Sequence, residues 1–201
     1  MTINTSNIIA YDKAICYSGF REGQSPITGI FPTYEEVKQD LEILKDQWKY
    51  LRLYDCDQLS ETVLEIIKTE GLDMKVMLGA YIGAEVNNHN CPWGGGIYSE
   101  EELIENKIKN LANINKLIRL ANEYPDEIMS LSAGNEACVD WTDHYVPEEQ
   151  VIAYVRMIKA NTIQPVTFCD NYVPWLDTLS NLAEEVDFIS KFLEKKKKNR
   201  K

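Results

Sequence analysis

The sequence predicts an α/β protein of the (β/α)8 TIM-barrel type, incomplete, with about six βα units present and the last two missing. Three observations predict it. Six short, nearly continuous apolar runs alternate with five amphipathic segments, the pattern of a parallel sheet with helical crossovers. Polar or aromatic residues close the runs at Tyr17, Asp55, Tyr81, Glu136 and Asn171, in loops of unequal length. The turn after the first run, Tyr17-Ser18-Gly19-Phe20-Arg21, lacks the GxGxxG phosphate turn of the competing architecture, a doubly wound sheet.

In chain order, residues 13–18 read as the first strand, and a loop with three Gly and two Pro follows at 19–33. Thr33 and Glu36 have the spacing of a capping box, and Tyr34, Val37, Leu41, Leu44 and Trp48 mark one helical face. The second strand is 50–54, and a helix over 60–70 stops at Gly71. The third strand, 75–81, runs into a polar loop with Glu85, His89, Trp93 and three glycines. Ser99 and Glu102 open a long helix that ends before Pro125. The fourth strand, 127–133, is the organising stretch, because its apolar run stops at Gly134-Asn135-Glu136. Pro147 starts the next helix at a first-turn position. The fifth strand is 166–169, a helix spans 176–185, and the sixth strand is 186–190.

The chain has 201 residues, enough for a substantial core. No apolar run reaches the ~18 residues of a membrane span, and the polar start shows no secretory leader. Net charge is −11. The last eleven residues carry seven positive charges against Glu194 alone, +6, so residues 1–190 carry −17. So acidic a body excludes nucleic acid and anionic membrane as expected partners. The lysine run reads as a solvated tail at 191–201, separate from a barrel domain over 1–190. The five cysteines form no CxxC pair and read as buried free thiols. His89 and His144, with Asp140 or Asp143, lack metal-ligand spacing, and no metal or cofactor is expected.

Glu136 is a carboxylate beside a carboxamide at a strand's carboxyl end, where barrels place reactive groups. Trp93, Trp141, Tyr172 and Trp175 lie in loops on that side and read either as platforms for sugar rings or as covers for the core. Arg52, Tyr54 and Asp55 either line the same cleft or form a structural ion pair.

Gly134-Asn135-Glu136, 14–21 (Ala-Ile-Cys-Tyr-Ser-Gly-Phe-Arg), Leu51-Arg52-Leu53-Tyr54-Asp55 and Val76-Met77-Leu78-Gly79 together resemble glycoside hydrolase family 17, the β-1,3-glucanase family, the first stretch its bacterial members in particular. The resemblance spans 13–190. It implies that Glu136 is the general acid/base of a retaining, two-glutamate mechanism, that Asn135 bonds the 2-hydroxyl at the cleavage point, and that Tyr17 lines the same subsite. Asp55, Trp141, Asn171 and Trp175 are the further candidate substrate contacts. The family's nucleophile follows a seventh strand, and nothing after Ser190 here has a strand period. Composition changes abruptly there, as a shifted reading frame or a truncation would produce. A complete barrel needs roughly 250 residues.

The expected activity is therefore that of a β-1,3-glucan glycosidase without its attacking carboxylate. Alternatives are a transglycosylating enzyme, a glucan-binding protein, or a non-functional truncated product. The first and sixth strands would keep unpaired edges, a self-association hazard. The absent leader points to the cytoplasm, a polysaccharide substrate to export.

Overall fold

The computed structural model describes residues 12–192. Six strands form one sheet: β1 (Ala14–Cys16), β2 (Tyr50–Leu53), β3 (Lys75–Gly79), β4 (Ile128–Asn135), β5 (Val166–Asn171) and β6 (Ser190–Phe192). Between them lie α1 (Tyr34–Leu44), α2 (Gln58–Thr69), α3 (Glu100–Glu123), α4 (Glu148–Asn161), α5 (Tyr172–Asp177) and α6 (Ser180–Glu185). The strand order is β1-β2-β3-β4-β5-β6, and all five pairings are parallel. A doubly wound sheet reverses direction at a switch point. Here each strand adds to the same side of its predecessor, so a right-handed crossover after every strand puts all the helices on one face. The result is a curled, incomplete (β/α) barrel.

Alternation along the strands sets the two faces. Leu51, Leu53, Val76, Leu78 and Leu131 are at most 2% exposed and share one core with Val37, Leu41, Val63, Ile114, Leu117 and Val155 of the helices. Each such side chain contributes roughly 1.5–3 kcal/mol by leaving water. The residues between them face the barrel's inside. There Cys16, Tyr50, Arg52, Met77, Met129 and Ser130 line a hollow of about 430 Å³. In a closed barrel this space is filled by layered side chains.

Local signals set the helix starts. The Thr33/Glu36 and Ser99/Glu102 capping boxes both form, and the Asp57 carboxylate caps α2 by accepting from Ser60 N at 3.0 Å. Several boundaries differ from expectation. Pro147 is the residue before α4 rather than its first turn. The single helix expected over 176–185 is two, broken at Thr178 and Leu179, because Asn171 caps an earlier start at Tyr172. The sixth strand is not 186–190 but Ser190–Phe192, in register with Cys169, Asp170 and Asn171. The segment before it is apolar, yet Asp187 diverts it. Its carboxylate accepts from Val166 N at 2.8 Å and pairs with Lys159 at 2.8 Å, so the backbone is held beside β5 without laddering. Lys191 and Phe192 therefore belong to a strand; the rest of the expected basic tail lies outside the described residues. Four cysteines are buried as expected, but Cys16 is exposed, because it faces the open inner side.

Candidate active site at the carboxyl ends of the strands

The end of β4 departs from regular strand geometry. Its register against β5 shifts between Ser132 and Asn135. Gly134 has φ +124°, and a Cβ there would lie 2.8 Å from Ile82 Cδ1 and 2.9 Å from Phe168 Cε2. Glu136 follows at φ +50°, the one non-glycine residue in the left-handed region among those described. Such backbone costs about 1–3 kcal/mol and persists only where neighbours hold it. They do so here: Glu136 N donates to Cys169 O at 2.8 Å, and the Ser132 hydroxyl donates to Gly134 O at 2.8 Å.

Asn135 is held at both its polar ends. Arg52 Nη2 donates to its side-chain oxygen at 2.5 Å, which turns the amide nitrogen the other way. The Arg52 guanidinium also lies 4.6 Å from the centre of the Tyr54 ring, a cation–π contact. The Tyr54 phenol is pushed up to about 12, first by burial and then by its hydrogen bond with Cys16. His144 Nε2 lies 3.0 Å from the Asn135 carbonyl oxygen, which can only accept, so that nitrogen carries a proton. His144 Nδ1 sits 2.8 Å from an Asp143 carboxylate oxygen, and the imidazole packs on Tyr81 with ring centres 5.3 Å apart.

Asp170 completes the cluster. It is 0% exposed, and its two oxygens accept from Cys138 N at 2.9 Å and Asn171 N at 2.6 Å. Burial pushes its carboxyl up to about 7, and the charge of Glu136 adds to the rise. The two backbone donors and His144 oppose it. Asp170 thus fastens the segment just after Glu136 to the end of β5.

A cleft of about 560 Å³ opens beside Asn135, walled by Tyr17, Tyr54, Asp55 and Tyr81. Tyr17 is 8% exposed, and its hydroxyl donates to Asp40 Oδ2 at 2.8 Å, so its ring rather than its oxygen serves the wall. Gly19 is required there, since a Cβ would fall 2.2 Å from that hydroxyl. Asp55 Oδ1 accepts from Cys56 N at 2.8 Å, Tyr81 N at 2.9 Å and Asn113 Nδ2 at 2.6 Å, tying together β2, β3 and α3. Of the two readings open for Asp55, it lines the cleft, and its carboxylate is fixed by N–H donors.

Of the seven candidate residues, Tyr17, Asp55 and Asn135 share the cleft, and Glu136 adjoins it in sequence. Trp141 is half-buried on the β4–α4 loop. The cleft lining includes neither Trp141 nor the other two. Asn171 is 3% exposed and its side chain caps α5 through Val173 N. Trp175 packs on Phe168 at 6.2 Å and donates from Nε1 to Ser190 O at 3.1 Å. His144 and Asp170 were the residues whose part sequence reasoning missed. Asp170 shared with Glu136 the signal of a carboxylate closing a strand; His144 had none in its spacing. Among the described residues, no group of three or more His, Cys, Asp or Glu side chains is placed to hold a metal ion, and no helix is long and apolar enough to cross a membrane.

The two long loops are sewn together behind this cluster. Glu85, 3% exposed, accepts from Tyr154 Oη at 2.5 Å and from Asn110 Nδ2 at 2.9 Å. The Asn88 amide donates to the carbonyls of Asp140 and Thr142, both at 2.7 Å. Tyr154→Phe should therefore destabilise the fold by about 1–3 kcal/mol, the cost of leaving a buried acceptor without its donor. Urea unfolding checks this, and a wild-type midpoint would contradict it.

No protein-family model and no curated protein matches the chain. Solved structures do. An endo-laminarinase from Formosa Hel1_33_131 superposes with a TM-score of 0.71 at 25% identity, over 89% of this chain and 49% of that one. The two share a fold. A β-1,3-glucanosyltransferase of family 17 from Rhizomucor miehei aligns at 20% identity with a TM-score of 0.59, over 88% of this chain and 55% of its own. An active-site mutant of the Rhizomucor miehei glucanosyltransferase in complex with laminaritriose gives a TM-score of 0.61 at 20% identity, over the same shares. The chain thus spans about half the length of these structures, 49–55%.

Proposed function

We propose that the protein is a glycosidase-type domain for β-1,3-glucan, in which Glu136 is the general acid/base of a retaining mechanism and Asn135 binds the sugar at the cleavage point. One observation carries this reading. The Gly134-Asn135-Glu136 turn is held in unfavourable backbone geometry by bonds from β2, β4, β5 and the β4–α4 loop, next to an open cleft. Strain retained at a strand's carboxyl end is a mark of a working site. Similarity to an endo-laminarinase supports the choice of substrate.

A retaining mechanism takes a second carboxylate about 5–5.5 Å from the first, to attack the anomeric carbon as the acid protonates the leaving oxygen. Asp170 feels the charge of Glu136, but it is 0% exposed and both its oxygens already accept backbone N–H bonds. It tunes the site and does not attack. The 201-residue chain should accordingly bind laminari-oligosaccharides and release few or no reducing ends from laminarin. Where a second carboxylate is supplied, Glu136→Gln should slow turnover by about 10²–10⁴-fold while binding persists. The test is a calorimetric titration with laminaritriose beside a reducing-end assay on laminarin. Absence of binding at millimolar sugar, or turnover that survives Glu136→Gln, would refute the reading. Transfer to a second sugar in place of water would use the same acid/base.

A further inference from the structure

The loop between β1 and α1 is built more firmly than a connection requires. Ser25 and Ile30 form an antiparallel bridge, with Ser25 N donating to Ile30 O at 3.1 Å. Thr28 N donates to the Ser25 hydroxyl at 3.0 Å, and Gly29 turns the chain at φ +68°. At the base, Arg21 forks onto Asp40 at 2.7 and 3.1 Å, the same carboxylate that receives the Tyr17 hydroxyl. Phe20 packs on Phe31 with ring centres 5.7 Å apart.

This small hairpin carries Ile27 at its tip, 96% exposed. An isoleucine on an ordered turn adds nothing to the core and keeps apolar area in water. Its surroundings suggest what it is for. Ile27, Pro26 and Phe20 line the 560 Å³ cleft, together with Tyr54, Asp57 and Tyr81. Leu59 and Ser60 of α2 share that lining with the tip. The volume suits a small ligand. A cleft lined by apolar carbon together with carboxylates and phenols complements a pyranose, which offers C–H faces and a hydroxyl rim.

We propose that the hairpin over 25–30 is a recognition lip. Ile27 and Pro26 cover the apolar face of a glucosyl unit beyond the one held at Asn135, and Tyr54 and Asp57 meet its hydroxyls. The inference rests on the glucan-binding reading above and adds to it a residue that sets how many sugar units are gripped.

The test is calorimetry of the whole chain with laminaribiose and laminaritriose. Wild type should bind the trimer more tightly than the dimer. Ile27→Ser should weaken the trimer by about tenfold and leave the dimer nearly unchanged, so that the preference for the longer sugar disappears. Ile163, 77% exposed just before β5, supplies a matched control, and Ile163→Ser should bind like wild type. Ile27→Ser binding the trimer with wild-type affinity, while Asn135→Ala loses both sugars, overturns the lip alone. An equal loss from Ile163→Ser also overturns it. No binding of either sugar by the wild type overturns the glucan reading and the lip with it.

Discussion

Gly134→Ala should destabilise the chain by about 2–6 kcal/mol, from two costs of about 1–3 kcal/mol each. The first is conformational. At φ +124° an L residue is strained whatever surrounds it, and β4 cannot relax, because Ser132, Asn135 and Glu136 are each bonded to something else. The second is steric. The added methyl would sit 2.8 Å from Ile82 Cδ1 and 2.9 Å from Phe168 Cε2, and both neighbours are 0% exposed, so neither has room to withdraw. Against the ~5–15 kcal/mol that holds a typical domain together, that loss decides whether the protein folds. Urea unfolding followed by circular dichroism reads it. Trimming the contact separates the two costs, since Gly134→Ala with Ile82→Val should recover part of the steric share and none of the conformational one. A single variant that unfolds at the wild-type midpoint would show that β4 does not turn at Gly134 as described.

The same turn shows what could be seen in the residues alone. Ile128 to Ala133 is an apolar run that ends in Gly-Asn-Glu, and a run that stops at polar residues locates both a strand and its functional end. Thr33 with Glu36, and Ser99 with Glu102, are contacts over three residues, so their spacing contains the whole interaction. The bonds that hold the site contain no such information. Arg52 reaches Asn135 across 83 residues of chain, and Asp170 reaches Cys138 across 32. Neither partner is implied by spacing or composition. Asn171 and Trp175 misled for a related reason: an amide or an indole in a strand-end loop serves a sugar or a helix cap equally well until its partner is known. The sixth strand was misplaced because Val186, Phe188 and Ile189 make an apolar stretch, whereas one carboxylate, Asp187, decides that the stretch does not ladder.

Asp170 is where this long-range packing should dominate stability as pH changes. Its native pKa of about 7 lies above the ~3.9 of an unfolded aspartate, so the native state keeps a proton that the unfolded state has released. The stability it contributes is therefore complete below about pH 4, falls as pH rises, and is gone above about pH 7, a change of about 4 kcal/mol from this one group. Asp170→Asn removes the titration. It also turns an amide N–H₂ toward one of the two backbone donors, Cys138 N or Asn171 N, which costs about 1–3 kcal/mol at every pH. The wild type should then be the more stable of the pair at about pH 4 and the less stable at about pH 8, with the two curves crossing between. Urea unfolding of both proteins at a series of pH values reads the difference directly, because the titrations of other groups largely cancel in it. Parallel curves would mean that Asp170 ionises normally and that burial does not govern it. Glu136→Gln should move the crossing to higher pH, because the charge of Glu136 is part of what raises the Asp170 carboxyl, and without it less stability is lost as pH rises. A measurement of folding thus reports on the electrostatics between the buried aspartate and the proposed acid/base, whether or not a substrate is turned over.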